Sequence, residues 1–509
     1  MKLNRRDFLS ASIAAAVAVP PFLAGEPAAV SARLEINPDR RIREIPEDYT
    51  GLSYETAELA DPRYFSPRNL PLAGLVRRLG PKGVLRLGGN TSEFAMWMSN
   101  GATEAANAAM AVEAKEKGWK EPPTPVTPEA IRNLAGFLDA TGWTLIWGLN
   151  LGRGSPEDAA DEAACVAKYA GQRLAAFQIG NEPDLYNMNG LRPKNWEFAD
   201  YLKQWRDYAG AVRRRVPDAR FGAPDVAFRT EWITSFAAEA KDQIVLLTGH
   251  YYAEGPPTDP RMTLDRLLHP NPHLEADIPK IMKAANEAQL PFRLAEGNSC
   301  YEGGKPGVSN TLGSALWGAD LMLHLAQAGY VGVNFHGGSR NAVKAGLGGK
   351  LPGASLQSGG PQKYPGAFYT PIAGALDVGF AARPLFYGMM LGGQLAGSTL
   401  VESKLDAAGS NVTAYAAESA GKLLVAIFNK EIARSAQVTL EIDGKWRRGR
   451  AWLLTAATPE SISGITLAGA EVGNDGAWKP ADEERLSRGE NGFSLSLAPC
   501  TAALVFLSD

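Results

Sequence analysis

Two stretches of the chain, QIGNEPDLY at residues 178–186 and FRLAEGNSCY at residues 292–301, share one design. In each, a short apolar run typical of a buried strand ends beside a glutamate, Glu182 in the first stretch and Glu296 in the second. Parallel strands bring their carboxyl ends to one edge of the sheet, where the loops form a binding site. We therefore expect both glutamates at the same end of a parallel sheet.

The chain around these stretches has the pattern of repeated βαβ units, because short apolar runs alternate with helical segments from about residue 48 to 338. Eight candidate strands can be counted, which is the strand number of a TIM barrel. They are Thr50–Tyr54, Gly83–Leu87, Thr144–Leu149, Leu174–Ile179, Arg220–Ala223, Ile244–Thr248, Phe292–Ala295 and Val331–Phe335. The predicted fold class is α/β, with a (β/α)8 barrel over residues 45–374.

Helical periodicity fills the segments between these strands. Apolar side chains at spacings of three and four predict an amphipathic helix over Glu197–Val216. The more uniformly apolar Thr311–Gln327 predicts a buried helix. The region 100–125 is longer than a strand connection needs to be, so we expect a helix there at the rim of the barrel.

After about Gly374 the pattern changes to turn-bounded strands without intervening helices, which predicts an antiparallel β-sandwich. Its clearest strands are Lys422–Phe428, Ala436–Ile442, Arg450–Leu454 and Ala502–Leu507. Because Arg33–Ile36 is also strand-like, we assign residues 33–44 and 375–509 to this second domain.

The N-terminal segment resembles a bacterial twin-arginine export signal, with Arg5 and Arg6 ahead of an alanine-rich apolar stretch. Pro20 and Pro21 interrupt that stretch, which is too short to span a membrane. We assign residues 1–32 to a signal that is cleaved after Ala32 or after Ala24. The expected location is therefore periplasmic or extracellular, with no membrane attachment after cleavage.

Composition narrows the functional classes. A net charge of −3 and a pI near 6.1 provide no basic field, which argues against a nucleic-acid partner. The three cysteines have no CxxC spacing and only five histidines are present, so no metal site is expected. No phosphate loop or dinucleotide fingerprint occurs at a strand-to-helix turn, so no cofactor is expected either. Nothing in the sequence indicates an oligomeric state.

Two carboxyl groups facing one another across a barrel mouth suit retaining glycoside hydrolysis, in which the pair lies about 5–5.5 Å apart. We assign Glu182 as general acid/base and Glu296 as nucleophile. Before reaction Glu182 has to be protonated and Glu296 ionised. Tyr251 and Tyr252, in the TGHYY stretch, are candidate hydrogen-bond donors to Glu296, and Asn181 is suited to bind a sugar hydroxyl.

The pair of glutamates looks like the signature of clan GH-A, the large superfamily of retaining barrel glycosidases. Three further stretches resemble glycoside hydrolase family 79, the β-glucuronidase and heparanase group. They are LRLGGNTSEF at 85–94, GHYY at 249–252 and, most specific of all, EGNSCYEGGKPGVSN at 296–310. The resemblance extends over the barrel and the terminal sandwich.

This resemblance implies retaining hydrolysis of β-linked glucuronic acid, or its 4-O-methyl form, with a glucuronic-acid-containing carbohydrate as substrate. It implies that Tyr301 and the backbone of Gly303 bind the sugar carboxylate, and a glycine-rich loop can offer backbone N–H donors closely. Lys305 could add positive charge there, and an ordinary solvated loop lysine is an equally good interpretation of this residue. The resemblance also implies sugar-hydroxyl contacts, which it places at Glu55, Asn90 and Glu93. Glu93 stands where an aspartate is expected, which puts that contact in doubt.

Three alternatives remain open. An endo-acting, heparanase-like enzyme would favour basic clusters along the cleft, but the clearest basic run, residues 213–215, falls on a predicted outer helix, which favours exo action. An arabinofuranosidase or xylosidase of the same clan would not need the site at Tyr301 and Gly303. An inactive carbohydrate-binding protein could use the same scaffold, but it would have no need of two opposed carboxylates.

Overall fold

The computed structural model describes residues 28–116, 123–357, 363–490 and 492–509. Most of the predicted signal, residues 1–27, lies outside the described residues. The strands up to the end of the barrel region are β1 (Val30–Glu44), β2 (Thr50–Glu55), β3 (Val84–Gly88), β4 (Ala95–Trp97), β5 (Thr124–Val126), β6 (Thr144–Leu149), β7 (Leu174–Ile179), β8 (Phe221–Val226), β9 (Leu246–Glu254), β10 (Phe292–Cys300), β11 (Gly332–Gly337), β12 (Ile372–Ala375) and β13 (Gly379–Ala382).

Eight parallel strands close into a barrel in the order β2-β3-β6-β7-β8-β9-β10-β11, and β11 pairs back onto β2. The predicted (β/α)8 barrel is therefore confirmed, and each of the eight predicted strands is present. Several strands end later than predicted, and the two largest extensions are those of β9 to Glu254 and of β10 to Cys300. Glu296 consequently lies within β10 instead of following it, at a register shift between Leu294 and Glu296. Such irregularities re-aim side chains next to functional sites.

The helices are α1 (Leu70–Leu79), α2 (Glu104–Glu116), α3 (Pro128–Thr141), α4 (Pro156–Ala170), α5 (Phe198–Arg215), α6 (Thr230–Ala240), α7 (Leu264–Leu268), α8 (Pro272–Ala288), α9 (Leu312–Ala328), α10 (Arg340–Gly346) and α11 (Pro384–Gly393). Four of them begin with a side-chain cap followed by a proline, at Asn69, Thr127, Ser155 and Asn271. The helices predicted over 197–216 and 311–327 correspond to α5 and α9.

Alternation along each barrel strand separates an apolar outer face from a polar interior. On β3, Leu85 and Leu87 belong to the hydrophobic core, whereas Arg86 hydrogen-bonds to polar side chains of other barrel strands. On β7, Phe177 joins the core, and Gln178 bonds to residues of β3, β8 and β9. The interior near the carboxyl ends is therefore filled with polar groups that hold one another in place.

The remaining strands are β14 (Thr399–Asp406), β15 (Val412–Ser419), β16 (Lys422–Asn429), β17 (Ala436–Ile442), β18 (Arg448–Thr455), β19 (Thr466–Leu467), β20 (Glu484–Leu486), β21 (Arg488–Gly489), β22 (Gly492–Leu497) and β23 (Thr501–Ser508). Together with β1 they form an 11-stranded sheet around a hydrophobic core of its own. Its pairs are antiparallel apart from β1 with β17, which is parallel. The sheet thus combines the first described strand with the C-terminal ones.

Helix α11 lies beyond the boundary expected at residue 374, yet it packs on barrel helix α9. Gly388 permits this, because a Cβ there would lie 2.0 Å from the carbonyl oxygen of Ala315. The sheet resumes only at Thr399. Among the described residues, the helices include none that is both long and apolar enough to cross a membrane.

A buried ion pair joins the sandwich to the barrel. Asp320 on α9 accepts a hydrogen bond from Lys430 Nζ at 2.6 Å. The same carboxylate accepts Thr413 Oγ1 at 2.6 Å and the Tyr415 hydroxyl at 2.9 Å, both on its other oxygen. Three donors from the sheet therefore converge on one carboxylate of the barrel.

Candidate active site

Glu182 and Glu296 meet at the carboxyl end of the barrel. Glu182 follows β7 in a left-handed conformation, φ 49° and ψ 51°, which turns the chain sharply after the strand. Glu296 projects from β10. One carboxylate oxygen of each, with a ring nitrogen of His250, lies within 4.8 Å of the others. The sequence therefore located the two carboxylates that the fold brings together.

Glu296 is surrounded by donors and positive charges. The Tyr252 hydroxyl donates to Oε1 at 2.7 Å, and the Arg86 guanidinium forms an ion pair with Oε2. His336 Nδ1 lies 3.4 Å from the same Oε2. Burial by itself would raise the pKa of Glu296, but the charges of His336, His250 and Arg86 and the Tyr252 hydrogen bond outweigh it and hold the pKa far below its usual range. Glu296 is thus an ionised carboxylate at neutral pH.

Glu182 has the opposite environment. Burial raises its pKa above the usual glutamate range, and the negative charge of Glu296 adds to the effect, although His250 works against both. Its side chain is 14% exposed, so one face remains open to the mouth. Two carboxyl groups whose pKa values are pushed apart are what an acid and a nucleophile require.

His250 lies between two carboxylates. Its Nδ1 is 3.1 Å from Glu182 Oε1, and its Nε2 is 3.2 Å from Asp225 Oδ1. Burial lowers the pKa of His250, but Asp225 and Glu296 outweigh burial and raise it to about 10. At neutral pH His250 is therefore an imidazolium, whose Nδ1 donates a hydrogen bond to Glu182 and whose Nε2 faces Asp225 in an ion pair.

Arg86 is the centre of the hydrogen-bond network. It is 1% exposed and donates to five side chains on neighbouring strands and loops. These are Gln178 at 3.1 Å, Ser53 at 3.2 Å, Asn181 and Asp225 at 2.7 Å each, and Glu296. Charged donors and acceptors form the strongest hydrogen bonds in proteins, so this guanidinium keeps the catalytic groups in one arrangement.

Two of the predicted sugar contacts lie at the mouth. Asn181 accepts from Arg86 through Oδ1 and donates from Nδ2 to Asn90 Oδ1 at 3.2 Å. Asn90 is partly exposed. This pair therefore lies beside Glu182, and its contact with a sugar hydroxyl stays a prediction.

Glu93 and Glu55, which were predicted to contact sugar hydroxyls, hydrogen-bond to neighbouring parts of the protein. Both oxygens of Glu93 accept backbone amides, one from Asn181 and one from Gly152. One oxygen of Glu55 accepts the backbone amide and the hydroxyl of Thr91, at 2.9 and 2.7 Å. The other oxygen of Glu55 lies 3.7 Å from His336 Nε2. Both carboxylates are buried and hold strand ends and loops in place, and a sugar contact at Glu93 or Glu55 stays a prediction.

Tyr251 also differs from expectation. Side chains alternate along β9, so His250 and Tyr252 face the barrel interior and Tyr251 faces outward. Tyr251 packs against the hydrophobic core and borders a cleft with His269, Trp317 and Tyr415. Tyr251 is therefore not the donor to Glu296, whereas its neighbour Tyr252 donates to Glu296 directly.

The loop after β10 contains the residues that were predicted to bind the carboxylate of the sugar. Tyr301 is 40% exposed, and Gly303 and Gly304 have φ of 87° and 85°, a conformation that favours glycine. The ammonium of Lys305 donates to the carbonyl oxygen of Asp259 at 2.9 Å, which ties this loop to the one after β9. Lys305 thus has a structural partner as well as its charge.

Sequence reasoning missed Arg86, Asp225, His250 and His336. Each is a charged or titratable residue inside a short apolar run or next to one, in VLRLG, FGAPDV, TGHYY and VNFHG. A charge within a buried strand is costly unless it is paired. A charged residue within or beside an apolar strand-like run was therefore the sequence feature that could have located them.

The oxygens of Glu182 and Glu296 and a nitrogen of His250 are close enough together to be metal ligands. However, Arg86 and the imidazolium of His250 already supply positive charge at this point. This donor set fits acid/base chemistry better than a cation.

The structure thus has a closed eight-stranded barrel, with opposed glutamates after its fourth strand and on its seventh, and an appended sheet domain. The chain is similar to two curated fungal β-glucuronidases. It is 28% identical over 312 residues to that of Aspergillus niger, covering 55% of each chain. It is 28% identical over 309 residues to that of Neurospora crassa, covering 55% of this chain and 54% of that protein. The chain thus matches about half the length of these relatives, and the resemblance to β-glucuronidases predicted from the sequence is confirmed.

Solved structures agree on the fold. A 4-O-α-L-rhamnosyl-β-D-glucuronidase from Fusarium oxysporum superimposes with a TM-score of 0.69 at 18% identity, over 93% of this chain and 99% of that one. A family 51 arabinofuranosidase from Xanthomonas axonopodis gives 0.66 at 15% identity, over 94% and 100%. No family model matches the chain.

Proposed function

We propose that this protein is a retaining, exo-acting β-glucuronidase that releases terminal β-linked glucuronic acid, or its 4-O-methyl form, from a carbohydrate or glycoside. The observation that carries the proposal is the approach of a Glu182 oxygen and a Glu296 oxygen to within 4.8 Å. Inverting enzymes need a separation of about 6.5–9.5 Å to admit a water molecule, whereas retaining enzymes need about 5–5.5 Å. The spacing supports double displacement.

The reaction follows from the two protonation states. Glu182 gives its proton to the glycosidic oxygen while Glu296 attacks the anomeric carbon, so the aglycone leaves and a glycosyl-enzyme ester forms. Glu182, now ionised, takes a proton from water, and the resulting hydroxide attacks the anomeric carbon. The ester bond to Glu296 then breaks and both carboxyl groups return to their starting states.

The choice of glucuronic acid rests on the two similar β-glucuronidases and on the loop after β10. Consecutive left-handed glycines at 303 and 304 can point backbone N–H groups at a carboxylate. The partly exposed ring of Tyr301 stands at the start of the same loop. This arrangement supports Tyr301 and Gly303 as the carboxylate-binding pair.

We also propose export through the twin-arginine signal. Strand β1 begins at Val30 and pairs with β17 from that residue onward, Val30 with Ala436. Cleavage after Ala32 would remove the first three residues of the strand, whereas cleavage after Ala24 would leave it whole. The pairing therefore favours cleavage after Ala24, which N-terminal sequencing of the exported protein would test.

The activity is tested with p-nitrophenyl β-D-glucuronide beside the matching glucoside, xyloside and arabinofuranoside. We expect selective release from the glucuronide, and loss of nearly all of it in both Glu296→Gln and Glu182→Gln. Glu254→Gln is the matched control, because Glu254 also ends a barrel strand but pairs with Arg266. Release from a neutral glycoside instead would reject glucuronate specificity, and silence on all four would favour an endo enzyme or a binding protein.

A further inference from the structure

The carboxylate of Asp225 connects to both catalytic glutamates through one side chain each. Its Oδ2 accepts Arg86 Nη2 at 2.7 Å, and Arg86 in turn pairs with Glu296. Its Oδ1 faces His250 Nε2 at 3.2 Å, and the other nitrogen of His250 faces Glu182. Asp225 is 1% exposed and touches neither glutamate side chain.

The chain adopts an uncommon conformation to place Asp225 there. Its φ is 62°, in the left-handed region that few residues other than glycine adopt. Gln178 Nε2 donates to Oδ1 at 2.5 Å, and the backbone carbonyl accepts the amide of Glu182 at 3.0 Å. Strained backbone persists only where the surroundings impose it, and it concentrates at functional sites.

We infer that Asp225 is a positioning residue that, through its ion pair with Nε2, keeps a hydrogen on Nδ1 of His250, and so directs the acid proton of Glu182 toward the substrate. The inference rests on the proposed glycosidase function. While Nδ1 of His250 carries a hydrogen, Glu182 Oε1 can only accept from it. The proton of Glu182 therefore has to sit on Oε2, the oxygen left free for the glycosidic oxygen.

Without the charge of Asp225 the hydrogen bond between His250 Nδ1 and Glu182 would reverse its direction. Glu182, Glu296 and Asp225 are the acidic groups that face His250, and Asp225 is the largest contributor to its raised pKa. In Asp225→Asn the amide oxygen can still accept from Nε2, so neutral His250 would keep its hydrogen there and leave Nδ1 bare. A bare Nδ1 accepts the proton of Glu182 and withdraws it from the substrate.

Asp184 provides a matched control. Its carboxylate is also 1% exposed and connects the same two loops, accepting the backbone amides of residues 227, 228 and 229 at 2.8, 3.1 and 3.1 Å. No hydrogen bond or ion pair described here joins it to His250 or Arg86. Asp184→Asn should loosen the loops without changing the donors of His250.

The test compares phenyl β-D-glucuronide with 2,4-dinitrophenyl β-D-glucuronide, because the second leaving group departs without a proton. General acid catalysis is worth roughly 10²–10⁴-fold. We expect kcat/KM of Asp225→Asn to fall by about 10²-fold or more on the phenyl substrate but by less than about tenfold on the activated one. Because the charge of Asp184 contributes to the raised pKa of Glu182, the comparison is made at a pH where Glu182 stays protonated, and there Asp184→Asn should lose the same factor on both. Equal losses in Asp225→Asn would overturn the inference.

A second measurement does not depend on activity. NMR titration of the labelled imidazoles, with the His250 signal assigned by its loss in His250→Gln, should find His250 protonated at both nitrogens to about pH 10 in the wild type. In Asp225→Asn the midpoint should fall by roughly 1–3 pH units, the effect of an adjacent opposite charge. A neutral His250 at pH 7 in the wild type would overturn the inference without any variant. If no glucuronide is turned over, the proposed function fails while this titration still decides the role of Asp225.

Discussion

Replacing Lys430 with methionine removes the positive partner of Asp320 where the sandwich meets the barrel. The side chains of this pair are 4% and 15% exposed, and the stem of methionine fills most of the space of the lysine stem. Asp320 keeps the donors Thr413 and Tyr415 on one oxygen but loses the donor on the other. The change therefore leaves an uncompensated charge at the interface.

Removing one partner of a buried ion pair typically costs about 3–5 kcal/mol. Protonation of Asp320 sets a ceiling on that cost. With an unfolded pKa of about 3.9, neutralising the carboxyl costs about 4 kcal/mol at pH 7 and about 1.5 kcal/mol at pH 5. In the wild type Lys430 lowers the pKa of Asp320, so that contribution to stability is present at neutral pH and is lost as pH falls. We expect Lys430→Met to lose about 3–4 kcal/mol at pH 7 and no more than about 1.5 kcal/mol at pH 5.

Urea unfolding at both pH values, followed by circular dichroism and tryptophan fluorescence, measures the loss and tests for a single transition. Lys283→Met is the matched control, since Lys283 forms an exposed pair with Glu287 and should cost no more than about 0.5 kcal/mol. Adding Asp320→Asn to Lys430→Met should recover most of the loss at pH 7. A loss of the same size at both pH values would refute the reasoning.

Three further outcomes are expected. Tyr252→Phe should lower kcat/KM about 10- to 100-fold, since it removes a hydrogen bond to the Glu296 carboxylate, whereas Tyr251→Phe, on the outer face of β9, should leave kcat/KM near the wild-type value. The kcat/KM of the wild type should fall as pH rises through the raised pKa of Glu182, because an ionised acid cannot donate, and a profile that falls instead on the acid side near pH 6 would contradict this assignment. Burial raises the pKa of Glu162 to about 8, so the folded state loses stability as pH rises from about 4.3 toward 8. Glu162→Gln can still accept the hydrogen bond from Trp147. Its melting temperature should therefore exceed the wild-type value by an amount that grows between pH 5 and 8.

The barrel was predictable because its signals are local. A largely apolar run of four to six residues repeats eight times between helical segments, and the periodicity of α5 and α9 appears in their own residues. The limits of the strands were less accessible. The extensions of β9 to Glu254 and of β10 to Cys300 pass through polar residues that only neighbouring strands can pair. Helix α11 falls in the range assigned to the second domain, where no helix was expected, and its contact with α9 places it on the barrel.

The residues of the candidate site likewise divide into those predictable from the sequence and those that required the tertiary structure. Glu182 and Glu296 were predictable from sequence alone, since acidic groups at the ends of two strands of one barrel must converge. The alternation that sends Tyr252 to Glu296 and Tyr251 outward depends on how β9 is paired. The loop groups that the oxygens of Glu93 and Glu55 accept, backbone amides and one hydroxyl, could be identified only from the tertiary structure.

The sequence by itself thus determined the barrel, the appended sheet and the identity of the two opposed carboxyl groups, because these depend on periodicity and on strand order. Only the tertiary structure decided which side chains favour the protonated form of Glu182 and the ionised form of Glu296. The pKa of a buried carboxyl depends on charges within a few ångströms, and here three of those charges, Arg86, His250 and His336, come from separate strands that are distant in the chain.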